Sequence, residues 1–221
     1  MAVFFFAVDP HFVDGTDLSL VPHSFPHSSS DSDSCIVIWR LVATDDTNPP
    51  QGLYLPIDKA QVVQALSVLF PQLSTSCTAG PNLERIEACL AQSDTFTLFL
   101  ATETVATTTQ SRLNVDDKIV PAVVPKITLR ITKIVGCLTL ITLKLLMNSR
   151  AHIEDLVVAS DCRGRGVGRG LMKRAIKEAI DIRGCTMVDL TSKPDRIQAR
   201  ALYESLGFQI RDTGAFRYYA S

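Results

Sequence analysis

The stretch Arg163-Gly164-Arg165-Gly166-Val167-Gly168 does most to constrain this chain, because of what stands on either side of it. Leu156-Val157-Val158 before it reads as a short apolar strand, and residues 166–182 after it have helical periodicity. Glycine lets a backbone come close to an anion, and the amides at a helix N-terminus point at it with the positive end of the macrodipole. A strand, a glycine loop and a helix in that order describe a phosphate cradle. A dinucleotide fingerprint needs G-x-G-x-x-G, but Gly164 and Gly166 are followed by Arg169 at the third position, and Gly166 and Gly168 by Leu171. A Walker loop needs G-x-x-x-x-G-K-[ST], and neither Gly164 nor Gly166 continues that way. What is left is R-x-x-G-x-G.

Charge agrees with an anionic ligand at this place. The net charge of −1 gives the whole molecule no bias toward nucleic acid or a membrane surface. Its distribution is uneven: no Lys or Arg precedes Arg40, whereas Arg163, Arg165, Arg169, Lys173, Arg174, Lys177 and Arg183 face only Glu178 and Asp181. A basic segment that begins at a phosphate loop suits a ligand with a diphosphate and a further phosphate; for Lys173, Arg174 and Lys177 a solvated helix face is the better reading. The six cysteines show no C-x-x-C pair and no clustering with the four histidines, so they read as reduced thiols with no zinc site. Residues 1–8 are apolar but lack a basic n-region, and the longest apolar run, 134–147, is too short to span a bilayer. The expectation is a cytoplasmic protein.

Residues 22–34 are polar and rich in Ser, Pro and Asp, so 1–34 reads as a largely disordered N-terminal extension and 35–221 as one folded domain. Strands are expected at 35–43, 96–102, 127–132, 135–146, 152–158 and 187–191. Helices are expected at 57–70, with Ile57, Ala60, Val63, Leu66, Leu69 and Phe70 inward, and at 82–92, 166–182 and 196–206. In the 166–182 helix, Val167, Leu171, Ala175, Ala179 and Ile182 are expected inward, and a final hairpin would join 208–211 to 216–219. Residues 103–126 are Thr- and Val-rich without helical period and carry Pro121 and Pro125, so they read as an inserted loop.

The R-x-x-G-x-G loop, H-I-E-D-L-V-V at 152–158 and L-Y-E-S-L-G-F at 202–208 follow one another as they do in the GNAT acyltransferase superfamily, which this chain resembles from about residue 134 to 219. The resemblance implies an α/β GNAT fold: a mixed central sheet flanked by helices and splayed at the fourth strand. It also implies an N-acetyltransferase that moves an acetyl group from acetyl-CoA to a primary amine by direct attack in a ternary complex. A non-enzymatic acyl-CoA-binding sensor or assembly module is the alternative, and would need only the loop. Partners are then acetyl-CoA and an amine acceptor, either a small molecule or a protein amine, with neither nucleic acid nor membrane; a homodimer stays open.

Carried onto this chain, the family's cofactor contacts fall on the backbone of Leu156, Val157 and Val158 and on Arg163, Gly164, Arg165, Gly166, Val167, Gly168 and Arg169, with no metal. Tyr203 stands where the family places a tyrosine hydroxyl near the departing thiolate, although a helical Tyr beside Leu202 and Leu206 is otherwise a core residue. Glu154 and Asp155 are neighbours on one strand, where side chains alternate between faces, so one can meet the cleft and take the amine proton. Glu154 is put ahead of Asp155, with an ion pair or a solvent-facing strand end as the other reading. Arg196 replaces an Asn common in the family, and could serve a phosphate, serve a substrate carboxylate or cap its helix. Cys162 beside Arg163 invites a nucleophile reading, which direct transfer in the family makes unnecessary. The 103–126 insert is expected as a flexible flap that shapes the acceptor side of the cleft or contacts a partner, with an idle surface insertion as the equal alternative.

Overall fold

The core is built on two runs, 97–102 and 134–140, in which Leu98, Phe99, Leu100 and Ala101 and then Val135, Cys137, Leu138 and Leu140 are all buried. Burial of consecutive strand residues means that both faces of the sheet are covered there. The two runs lie in β4 (Phe96–Val115) and β5 (Lys118–Lys144), paired antiparallel. The computed structural model describes residues 3–7, 34–42, 54–74, 76–115 and 118–220. By contacts it divides into two units, 1–189 and 190–221.

Among the described residues the other strands are β1 (Val3–Ala7), β2 (Ser34–Val42), β3 (Tyr54–Asp58), β6 (Ser149–Val158) and β7 (Met187–Leu190). All seven join one sheet in the order β3-β1-β2-β4-β5-β6-β7. From β3 across to β6 the pairings are antiparallel. The Thr186 amide donates to the Ser149 carbonyl at 2.9 Å, so β7 begins beside the first residue of β6. Running the other way would carry it off the end of its neighbour, so β7 is parallel to β6 and the sheet is mixed.

Helix α3 (Val167–Lys177) packs on the face that carries Gly136 and Phe99, with the Arg174 guanidinium 5.5 Å from the Phe99 ring centre. A Cβ at Gly170 would come within 2.7 Å of Ile38 Cδ1, so this glycine lets the helix lie close on β2. The opposite face is left for α1 (Lys59–Leu69) and α2 (Leu83–Leu90), capped by the Asp58 and Asn82 side chains.

The expected organisation needs several corrections. Residues 3–7 do not belong to a disordered extension: they form β1, inserted between β2 and β3, and residues 8–33 lie outside the described residues. The 103–126 segment is not an irregular loop; its described residues continue β4 and β5 as a ladder that reaches Val115↔Lys118. Its β-branched residues favour the pleated backbone. Pro125 is tolerated opposite Gln110 because, among the described residues, β2 covers β4 only as far as Val105 and β6 covers β5 only from Gly136, and no further strand pairs with the ribbon's outer edges. Helix α1 starts two residues late because Ile57 belongs to β3; it buries Leu66 and Leu69 as expected, but Val62 in place of Val63, and Ala60 is exposed. No strands form at 208–211 or 216–219, where Ile210, Phe216, Tyr218 and Tyr219 stand exposed; an isolated hairpin is marginal at best.

The end of the third helix also departs from its period. Residues 178–182 form a π-turn, with the Arg183 amide bonded to the Glu178 carbonyl at 3.0 Å. Ile180 and Ile182 stand outward beyond the turn's start, while Glu178, 1% exposed, keeps the face of Leu171 and Ala175 and so enters the core. There Glu178 meets Arg183 at 3.2 Å, Arg40 at 3.5 Å and Arg174 at 3.6 Å. Arg183 in turn donates to the Asp94 and Ser93 carbonyls and to Thr97, which ties the helix end to the start of β4. Glu178→Ala leaves three guanidinium groups without their anion, and a fall in stability of about 3 kcal/mol in urea unfolding is expected, with Glu178→Gln losing less.

Candidate active site

Strand β6 does not pair evenly with β5. Thr139 faces Glu154 and Cys137 faces Val157, so Asp155 and Leu156 together stand opposite the single residue Leu138. This is a β-bulge, and Asp155 takes it in the left-handed region at φ 52°. A non-glycine residue held there stores strain of order 1–3 kcal/mol. Its local support is visible: the Asp155 carboxylate accepts from Thr139 Oγ1 at 3.2 Å and its carbonyl from Cys137 Sγ at 3.5 Å.

The bulge changes what the two acids can do. Paired residues share a face, so Glu154 lies on the face of Thr139, and the Thr139 hydrogen bond brings the Asp155 carboxylate to that face as well. The alternation expected from a regular strand, with the two acids on opposite faces, does not hold. Glu154 is exposed and pairs with His152 at 3.2 Å. Asp155 is half-buried, and burial pushes its carboxyl above the usual carboxylate range, with the Glu154 charge adding to the rise and the Thr139 bond opposing it. Burial and the Asp155 charge hold the Cys137 thiol protonated.

Beyond the bulge, β6 passes into a short 3₁₀ turn, Ser160–Cys162, and then the glycine loop. Gly164 at φ 76° and Gly166 at φ 79° adopt the left-handed conformation that L side chains rarely take, and no side chain caps α3 behind Gly166. The first intrahelical bond is Gly170 N–H to the Gly166 carbonyl at 2.9 Å, so the amides of Val167, Gly168 and Arg169 have no acceptor within the helix. Amides at a helix N-terminus are of the kind that can receive an anion. The Val167 side chain is buried, which leaves only its backbone for a ligand.

The two loop arginines differ. Arg163 is exposed and uses its Nε to donate to the Val158 carbonyl at 3.1 Å. Arg165 donates from Nη1 to Glu103 Oε1 at 2.8 Å and to Cys162 Sγ at 3.5 Å, so its charge is already matched within the protein. Cys162 is buried, and burial with the charges of Glu103 and Asp161 raises its thiol pKa against the opposing pull of Arg165 and Lys133. That is the reverse of an activated nucleophile.

The second unit contains α4 (Ile197–Glu204), with Tyr203 in its last turn. Gly207 at φ 90° ends it: the Phe208 amide reaches the Tyr203 carbonyl at 3.1 Å and the Gly207 amide the Glu204 carbonyl at 3.0 Å. The Phe208 ring then stacks edge-on to Tyr203 at 6.2 Å. The L-Y-x-x-x-G-F pattern is therefore a helix stop that fixes the tyrosine ring. Burial raises the Tyr203 hydroxyl pKa, with Arg196 opposing, so it is protonated at neutral pH. Arg196 occupies the N-cap position of α4 without a side-chain cap bond, which removes the helix-capping reading for it.

Sequence reasoning missed Thr139 and Glu103, the partners of Asp155 and Arg165, because nothing in a single strand reveals what a distant one contributes. The acidic pair inside an apolar strand was a usable signal for the bulge. Among the described residues no group of three or more His, Cys, Asp or Glu side chains is placed to hold a metal ion, and no helix is long and apolar enough to cross a membrane.

Residues 97–208 match the model of the acetyltransferase (GNAT) family. Among sequence relatives, N-alpha-acetyltransferase 30 of Homo sapiens is 40% identical over 73 residues, 33% of this chain and 20% of that protein. The Xenopus laevis protein of the same name matches at 40% over 73 residues, 26% of its length, and N-alpha-acetyltransferase MAK3 of Arabidopsis thaliana at 41% over 70 residues, 36% of its length. The matches thus span between a fifth and about a third of those relatives. Among solved structures, a putative acetyltransferase from Agrobacterium tumefaciens aligns with a TM-score of 0.52 at 23% identity over 74% of this chain and 96% of its own. An aminoglycoside acetyltransferase from an uncultured soil sample aligns at 0.55 and 18% over 84% and 96%. Both likenesses are of fold.

The raised Asp155 pKa sets a pH signature. An unfolded aspartate titrates near about 3.9, and the folded one titrates higher, so between the two values the native state binds the proton more tightly. Asp155 therefore lowers stability at neutral pH, and this loss disappears as pH falls through the folded pKa toward the unfolded one. Unfolding curves of wild type and Asp155→Asn across that acid range should converge on acidification relative to their neutral difference; parallel curves would refute the assignment.

Proposed function

The chain belongs to the acetyltransferase (GNAT) family, and from that premise we propose that it transfers an acetyl group from acetyl-CoA to a primary amine by direct attack in a ternary complex. The observation that carries this reading is the bulge at Asp155 a few residues ahead of an uncapped, glycine-led helix N-terminus. Acetyl-CoA, when bound, supplies the acetyl group as an activated thioester. The amides of Val167, Gly168 and Arg169 hold its pyrophosphate oxygens, and the outer nitrogens of Arg163 add charge. The backbone of Leu156, Val157 and Val158 carries the pantetheine contacts, supported by the interrupted β5 pairing and by the shortness of β7, four residues against ten.

Asp155 takes the proton from the acceptor amine, for which a carboxylate with a raised pKa is better matched than the exposed Glu154. Tyr203, protonated at neutral pH, returns a proton to the departing thiolate. The sequence relatives are named N-alpha-acetyltransferases, so the α-amino group of a peptide is the acceptor class proposed first. A cytosolic place belongs to the same proposal, supported by free thiols at Cys77, Cys89, Cys137, Cys162 and Cys185.

Thiol release from acetyl-CoA, measured over peptides with free N-termini, lysine side chains and small amines, tests the reading. Release should require an amine and be fastest with a peptide N-terminus. Asp155→Asn should lower kcat about 10²-fold, Tyr203→Phe should lower kcat with the acetyl-CoA KM little changed, and Glu154→Gln should do neither. Gly166→Val, which forces a branched side chain into φ 79°, should lose acetyl-CoA binding. Binding of acetyl-CoA with no thiol release for any amine would favour the sensor module instead.

A further inference from the structure

The glycine loop is held from a distance by one rung of the β4–β5 ladder. Glu103 and Lys133 are cross-strand partners there; Glu103 binds Arg165 in the middle of the loop, and Lys133 binds Asp161 just ahead of it. The two ion pairs are not equal. Lys133 and Asp161 are 46% and 62% exposed, where water screens the attraction and little net stabilisation remains. Arg165 and Glu103 are 24% and 26% exposed, and the Arg165 Nε is fully buried without an acceptor of its own. A guanidinium so far removed from water depends on its carboxylate.

Arg165 also sits between two glycines that are both left-handed. Glycine backbones prefer no single conformation, so the segment 164–166 takes its shape from whatever anchors the side chain between them. We propose that Glu103 is a positioning residue for the cofactor loop: by pinning Arg165 it fixes the 164–166 turn and, through it, the first amides of α3 that receive the pyrophosphate. This rests on the acetyl-CoA reading of the loop and adds a residue outside every motif. The ribbon beyond Glu103 and Lys133 is rooted beside the glycine-loop end of β6, because the antiparallel pairing of β5 with β6 begins at Gly136↔Val158.

Calorimetric titration of the full chain with acetyl-CoA, in a double-mutant cycle, tests the proposal. Glu103→Ala should weaken binding about tenfold, equivalent to about 1.4 kcal/mol, and Glu103→Gln, which keeps the shape and loses the charge, should weaken it in the same direction if the alanine variant does not fold. In an Arg165→Ala background the Glu103 substitutions should add nothing, a coupling that general destabilisation would not produce. Lys133→Ala should shift affinity less than twofold. Unchanged or tighter binding by the Glu103 variants, or full additivity with Arg165→Ala, overturns the positioning role alone. Failure of the wild type to bind acetyl-CoA overturns the functional reading, and the positioning role with it.

Discussion

A strand whose backbone is fully paired has no donor or acceptor left for a ligand, and the departure of β6 from even pairing at Asp155 is what this site depends on. One residue in the left-handed region shifts the register by one position against β5. That shift interrupts the β5 ladder at Asp155 and Leu156 and collects two carboxylates on one face. Thr139 and Cys137 hold the strained residue from β5, so the deformation is a property of the strand pair.

Charge is organised around two acids that face arginines, and the comparison explains their different work. Glu178 is almost wholly buried and meets three guanidinium groups, so it fastens the end of the third helix to β2 and β4. Glu103 is partly buried and meets one, in the middle of the glycine loop. Both sit where regular structure gives way, the first at a π-turn and the second where the β4–β5 ribbon leaves the sheet.

Local signals were misread where the sequence had two solutions of similar local merit. The 103–126 segment has turn-breaking prolines and strand-forming Thr and Val residues, and only the presence of a partner strand at 118–144 decides for the ladder. Val3–Ala7 followed by a polar Ser-rich stretch looked like the start of a tail, yet five residues suffice when β2 and β3 offer edges on both sides.

What the sequence determined by itself was whatever depends on backbone chemistry over a few residues: the loop into α3 through glycines at 164 and 166, the α3 core face through Leu171 and Ala175, and the helix stop through Gly207 and Phe208. Steric freedom, helical period and capping are local, so they can be read from one strand of text. The tertiary structure alone decided the different surroundings of Glu154 and Asp155, the burial of Glu178 and the engagement of Arg165 by Glu103. Each of these depends on a partner from another element, Thr139 for Asp155, Arg40 for Glu178 and Glu103 for Arg165, or on solvent exclusion by elements that sequence spacing does not bring together. Electrostatic environment is a property of the assembled fold, and it is there that equivalent residues acquire different chemistry.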